Sequence, residues 1–158
     1  MTLTIRPAVD SDLDALGRLG AMLLRTHHAL DPKRFIPPGD DPDAGYAWFL
    51  GTQLRRDDVA VLVAERDGAV IGYVYAGLEP HSWKELREAA GFIHDLAVDE
   101  RARSGGVASA LIEAAIDWLR NHGAPRVLLW TAEGNTVAQR VFAARNFRRT
   151  MIEMTLEL

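Results

Sequence analysis

A mixed α/β sheet flanked by helices is the fold class this sequence predicts, and three observations carry it. Residues 92–98 are a short run, rich in β-branched and aromatic side chains and closed by Asp99-Glu100, as a buried strand requires. From Val107, apolar residues recur at Leu111, Ala114/Ala115 and Trp118/Leu119, one face of a helix, and Gly123 after Asn121-His122 supplies a left-handed stop. Residues 59–64 and 69–78 alternate as strands around Asp67-Gly68, where both turn residues tolerate positive φ, so an antiparallel hairpin precedes the strand–helix unit. With 158 residues, 48% of them hydrophobic, the chain suits a single domain over residues 1–158.

In chain order, residues 3–6 read as a first strand ended by Pro7, and Ser11 with Asp14 has capping-box spacing at the start of a helix. Leu13, Leu16, Leu23 and Leu24 give that helix an apolar face. His27 and His28 fall near its end, where imidazole complements the helix dipole; contact with substrate is the other role open to them. Residues 31–45 hold four prolines and two glycines and read as a loop. Residues 46–56 form a second helix, with Trp48, Phe49, Leu50 and Leu54 available for packing. Ser82, Glu85 and Gly91 frame a brief helix over 83–90. Beyond the long helix, residues 126–131 make a strand, Asn135 caps a helix running to about residue 145, and residues 148–157 alternate imperfectly as a last strand.

Composition narrows the function classes. No cysteine is present, which excludes disulfides, thiolate metal sites and a cysteine acyl-enzyme. The first residues lack the apolar core of a signal peptide, and no run approaches the roughly 18 apolar residues of a membrane span, so a cytoplasmic protein is expected. The net charge of −4 is uneven: residues 1–100 hold 10 basic and 17 acidic side chains, net −7, and residues 101–158 hold 8 and 5, net +3. Overall acidity argues against nucleic acid, while Arg101, Arg103, Arg140 and Arg145 place cationic groups where an anion could bind.

The strand-to-helix turn Arg103-Ser104-Gly105-Gly106 collects unpaired N–H groups at the positive end of a helix dipole, a setting suited to phosphate or pyrophosphate. A P-loop is excluded because no lysine follows Lys84, and the dinucleotide fingerprint GxGxxG is absent, which leaves only a degenerate version of it as a competing reading. The better match is R-x-x-G-x-A, from Arg103, Gly106 and Ala108. This turn resembles the acetyl-CoA pyrophosphate loop of the GNAT superfamily of N-acetyltransferases. The preceding Asp95-Leu96-Ala97-Val98-Asp99-Glu100 is similar to that family's strand ending. Asn135, Ala138, Val141, Phe142 and Phe147 resemble its N-x-x-A-x-x-L-Y-x-x-x-G-F segment. The likeness extends over essentially the whole chain.

What the resemblance implies is an acetyl-CoA-dependent N-acetyltransferase with a GNAT-like central sheet. The strand ending at Val98 is expected to splay from the next, so that backbone groups of Leu96, Ala97 and Val98 bind the pantetheine arm and one N–H faces the oxyanion. Arg103, Ser104, Gly105, Gly106, Val107 and Ala108 would hold the pyrophosphate, with Asn135 beside the cofactor. The family's glutamate base is missing. His94, which alternation places on one face with Phe92, is the preferred base; Asp95, on the opposite face by the same alternation, and Glu79 are the other candidates. Phe142 stands where the family often has the tyrosine acid, leaving water, Tyr73 or Tyr75. Asn146 replaces a glycine but tolerates the left-handed conformation of a helix stop.

The expected reaction is direct transfer to a primary amine in a ternary complex, because no cysteine can carry the acetyl group. A small-molecule or peptide amine is the expected acceptor, bordered by Phe35, Asp40, Asp41, Tyr46 and the 83–90 segment; a homodimer is compatible with this reading. The alternative, suggested by Phe142 and the missing glutamate, is a non-catalytic acyl-CoA sensor of the same fold.

Overall fold

The computed structural model describes residues 2–158. Five strands, β1 (Leu3–Pro7), β2 (Val59–Arg66), β3 (Ala69–Glu79), β4 (Ala90–Val98) and β5 (Val127–Leu129), lie in the sheet in chain order. The first four pair antiparallel and β5 lies parallel to β4. Helices α1 (Leu13–Leu30) and α2 (Pro42–Gln53) cover one face, where Leu16, Leu19 and Leu50 pack against Val61, Val63 and Tyr73. Helix α3 (Val107–Asn121) covers the other, burying Val107, Leu111, Ala115 and Leu119 against Leu62, Val74, Ala76 and Ile93. Helix α4 (Thr136–Ala143) follows β5 and is anchored by Phe142, edge-on to Phe147 with centroids 5.4 Å apart.

Turn chemistry follows expectation where it rests on backbone conformation. Asp67 and Gly68 both have positive φ, 53° and 77°, and so do Gly123 and Asn146, at 89° and 69°. Asn135 Oδ1 accepts the Ala138 N–H at 3.1 Å and caps α4. Asp41 caps α2 through the Ala44 N–H, with Pro42 at the first helical position.

Several expectations are corrected. Ser11 makes no cap: Asp12 accepts the Val9 N–H at 2.8 Å and is gripped by the Arg6 guanidinium at 2.8 and 3.0 Å, so α1 starts after it. The 83–90 segment is no helix. Ser82 Oγ does accept the Glu85 N–H, but Leu86 turns to φ 55°, and Ser82 and Arg87 exchange both backbone bonds, closing a tight turn that feeds β4 at Ala90. Residues 148–158 belong to no strand, because no edge of the chain's own sheet pairs with them.

The feature that positions the site lies between β3 and β4. Tyr75 pairs with Asp95 and Ala76 pairs with Ile93, leaving His94 as an extra residue, a β-bulge. The bulge resets the side-chain count and overturns the expectation that Asp95 faces away from His94. The His94 ring contacts those of Phe92 and Tyr75, while Asp95 bonds Tyr46 of α2 and Tyr73, so both emerge on the α1/α2 face. Alternation then resumes, with Ala97 on that face and Leu96 and Val98 against α3.

Helix α2 reaches this face because α1 is stripped of side chains where they meet. A Cβ at Gly20 would lie 2.1 Å from the Tyr46 ring, and one at Gly17 would lie 2.4 Å from the Asp43 carbonyl oxygen. Gly20→Ala gains about 1 kcal/mol of helix propensity but forces the ring aside, at an overpacking cost of about 1–3 kcal/mol. We expect chemical denaturation to show net destabilisation, together with loss of the Tyr46–Asp95 contact.

Candidate active site

On the α1/α2 face, six rings run in sequence across the sheet: Tyr46, Phe49, Tyr75, His94, Phe92 and Trp130, with neighbouring centroids 4.9–6.1 Å apart. His94 is central, its side chain 30% accessible, and its Nε2 lies 3.3 Å from Oε1 of Glu79 at the end of β3. Burial depresses the imidazole pKa, and Glu79 and Asp95 oppose that shift only in part. A proton on Nε2 faces the carboxylate and leaves Nδ1 with a free lone pair.

Asp95 is a different kind of group. Both the Tyr46 and the Tyr73 hydroxyls donate to its Oδ2, at 2.7 and 2.9 Å. Burial raises its pKa against the lowering effect of those two bonds. The tyrosines are held protonated: burial and then Asp95 raise both pKa values, and Tyr73 is wholly inaccessible. Tyr75 donates to Gln53 Oε1 at 2.9 Å and is likewise raised, chiefly by burial. Phe142, 8% exposed against Phe147, is an apolar anchor without a proton to give.

The second half of the site is an opening in the sheet. β4 pairs with β5 only through Gly91–Val127, Phe92–Leu128 and Ile93–Leu129, although it stays paired with β3 as far as Val98. From His94 to Val98 the β5-facing edge of the strand has no strand partner. The edge leads into the loop before α3, where Asp99 accepts the Arg101 N–H at 3.0 Å and Ser104 and Gly106 have φ of 68° and 78°. Gly106 caps α3 without a side-chain bond, and no acidic residue occupies the first turn, so the N–H groups there are free for an anion. A Cβ on Gly106 would meet nothing within 4 Å, so the approach is open.

Arg103 donates from Nε to the Val98 carbonyl at 3.3 Å and turns its guanidinium toward Met22. Arg66, which sequence reasoning missed, reaches to within 3.8 Å of where a Gly105 Cβ would stand; its signal was only a cation at the end of β2. Among the other arginines, Arg145 is paired with Glu113 at 2.7 Å, and Arg101 projects into solvent. Asn135 spends its side-chain oxygen on α4. His27 and His28 bond the carbonyls of Leu23 and Phe35, and Asp41 is a cap.

The geometry therefore joins an anion-binding loop, an unzipped strand edge and a polar, ring-lined face along one strand. Residues 23–147 match the model of the acetyltransferase (GNAT) family. The chain belongs to that family. Acetyl-CoA is its cosubstrate, and the loop and open edge fit such a molecule. An uncharacterized N-acetyltransferase of Archaeoglobus fulgidus is 29% identical over 93% of this chain and 94% of its own. A mycothiol acetyltransferase of Cellulomonas flavigena is 33% identical over 62% of this chain, which spans only 29% of that longer protein. Among solved structures, the BH1408 protein of Bacillus halodurans has a TM-score of 0.81 at 23% identity, over 98% of this chain and 99% of the other. The aminoglycoside N-acetyltransferase AAC(6')-Iy, in complex with CoA, has a TM-score of 0.76 at 24% identity, over 99% and 95%. These two likenesses show the GNAT fold.

The Asp95 cluster makes a stability prediction. Because its folded pKa is raised, the contribution of Asp95 is largest below the ordinary carboxylate pKa of about 3.9 and is lost as pH rises through the higher folded value. Asp95→Asn keeps an acceptor for both hydroxyls without the buried charge, and at pH 7 it should melt no lower than wild type. Asp95→Ala leaves two hydroxyls unpaired and should cost about 1–3 kcal/mol; calorimetric melts of the two variants check both outcomes.

Proposed function

We propose that this GNAT protein transfers the acetyl group of acetyl-CoA directly to a primary amine within a ternary complex, with His94 as the general base. The observation that carries the reading is the bulge: it turns a neutral imidazole out beside the free edge of β4. Backbone groups of Leu96, Ala97 and Val98 hold the pantetheine arm, and the loop from Arg103 to Ala108 holds the pyrophosphate end. His94 Nδ1 takes a proton from the incoming ammonium, and Glu79 stabilises the resulting imidazolium across 3.3 Å. The amine nitrogen then bonds to the acyl carbon, a backbone N–H of the open edge stabilises the oxygen, and the carbon–sulfur bond breaks. A thiol has a pKa of about 8.5, so the thiolate leaves without a dedicated acid, and the second proton that the nitrogen sheds as the amide forms reaches it through water.

Asp95 does not act as the base in this scheme, because both hydroxyl bonds and burial keep it inside the fold. It positions Tyr46, the first ring of the wall, and Tyr73 behind it. That wall and the single carboxylate of Glu79 suit an amine carried on an apolar or ring body better than a polyamine with many charges. The reaction is placed in the cytoplasm, where no disulfide is called for.

Loop and base are tested separately. Gly106→Asp would confound charge with backbone strain, since φ is 78° and a left-handed non-glycine residue costs about 1–2 kcal/mol. Gly105 has no such constraint, and its Cβ would meet only ordinary contacts. Gly105→Asp should abolish acetyl-CoA binding by calorimetry with its melting temperature unchanged; undiminished affinity contradicts the loop assignment.

For the base, His94→Ala should lower turnover roughly 10²- to 10⁴-fold with cofactor affinity retained. The depressed imidazole pKa places the rising limb of kcat/KM below the ordinary value of about 6.5. Because Glu79 raises that pKa, Glu79→Gln should move the limb to lower pH still. Thiol release over an amine library reads all three enzymes. A limb that follows the acceptor's own pKa and survives His94→Ala removes His94 from the mechanism, and acetyl-CoA binding without thiol release from any amine marks a sensor instead.

A further inference from the structure

We propose that Arg66 is a further binding residue for acetyl-CoA, its guanidinium contacting the diphosphate from outside the loop that runs from Arg103 to Ala108. The inference rests on the loop assignment made above and adds to it a residue from a distant part of the chain. Arg66 closes β2, and its pairing with Ala69 across the Asp67-Gly68 turn anchors the strand end from which the side chain reaches. Glu65, the residue before, bonds Arg6 on the α1 side of the sheet, so alternation turns Arg66 to the α3 side. There, half-buried, it brings Nη1 and Nη2 each to 3.8 Å from where a Cβ on Gly105 would stand. Gly105 immediately precedes the residue that caps α3.

No group of the protein neutralises this cation. Among the described residues Arg66 enters no ion pair and no side-chain hydrogen bond, and its neighbour Glu65 is held by Arg6 at 2.7 and 2.9 Å. Other arginines drawn partly out of water are paired: Arg87, 17% accessible, bonds Glu85, and Arg145, 23% accessible, bonds Glu113. Arg66 instead stands beside the start of α3, whose first turn holds no acidic side chain. A cation at that end is repelled by the helix dipole, so the arrangement is unfavourable for the protein alone and becomes favourable with an anion between the two. Arg103, the loop's own cation, is committed to the Val98 carbonyl and turns toward Met22. The planar fork of Arg66, with both Nη groups presented together, matches two oxygens of a phosphoryl group. Glycine at 105 keeps the space between fork and loop clear, since a side chain longer than that of alanine would enter it.

The test compares three ligands on the full chain: acetyl-CoA and its 3′-dephospho form by calorimetry, and S-acetylpantetheine, which lacks the diphosphate, by ligand-observed NMR. Arg66→Gln should weaken acetyl-CoA roughly tenfold, as loss of one hydrogen bond to a charged group does. It should weaken the 3′-dephospho form by the same factor and leave S-acetylpantetheine unchanged. Arg66→Lys keeps the charge without the fork and should fall between Arg66→Gln and wild type. Raising the salt concentration should narrow the gap between wild type and Arg66→Gln. If Arg66→Gln melts lower than wild type, the comparison of ligands within that one variant still decides. Undiminished acetyl-CoA affinity in Arg66→Gln, or an equal loss on S-acetylpantetheine, would overturn the assignment while the loop reading stands; the second result would mark Arg66 as a brace of the loop. A loss confined to the ligand with the 3′-phosphate would overturn the diphosphate contact. A wild-type protein that binds no acetyl-CoA would remove the loop reading and this one together.

Discussion

The extra residue in β4 is the constraint on which the site depends. Without the bulge at His94, a regular ladder would turn Asp95 toward α3, into the cluster of Val74, Ala76 and Ile93, where an unpaired carboxylate is costly. With it, Asp95 meets two tyrosine hydroxyls and His94 leans outward between Tyr75 and Phe92. The lost ladder bond is offset by a polar cluster that ties α2 to the central strands. The glycines of α1 belong to the same arrangement, since Tyr46 reaches Asp95 only because Gly20 leaves room for its ring.

The same strand changes partners where it bulges. Pairing with β5 ends at Ile93, one residue before His94, so the point at which the edge opens and the point at which the imidazole emerges coincide. Acetyl-CoA chemistry needs both: exposed backbone groups along an extended arm and a proton acceptor at its end. A few residues on, the uncapped start of α3 supplies the positive end of a helix for the anionic part of the molecule. In the proposed mechanism, one continuous segment from His94 to Ala108 supplies both the cofactor's binding groups and the base.

Much of this was legible in the sequence, because it rests on local chemistry. Gly123, Asn146 and Asp67-Gly68 announce positive φ through their own side chains or lack of them, and Arg103, Gly106 and Ala108 carry the loop in six positions. The bulge was not legible. Alternation assumes an unbroken period of two, and nothing in Phe92-Ile93-His94-Asp95 marks the residue that drops out of the count. Arg66 and the Tyr46–Asp95 bond were equally hidden, since each joins residues far apart in the chain. The Ser82–Glu85 spacing misled for the opposite reason: the local bond forms as expected, but closure onto Arg87 and β4 overrides the helix it would start.

The central claim is that the acyl group arrives on the His94 side of the sheet, through the opening between β4 and β5. A crystal structure with a non-hydrolysable acetyl-CoA analogue and an amine measures this directly. The account predicts the acyl carbon in the opening, the amine nitrogen about 3–3.5 Å from it, and the His94 imidazole within direct or one-water reach of that nitrogen. An acyl group on the α3 face, or an amine bound beyond reach of His94 with another group at its proton, would contradict it.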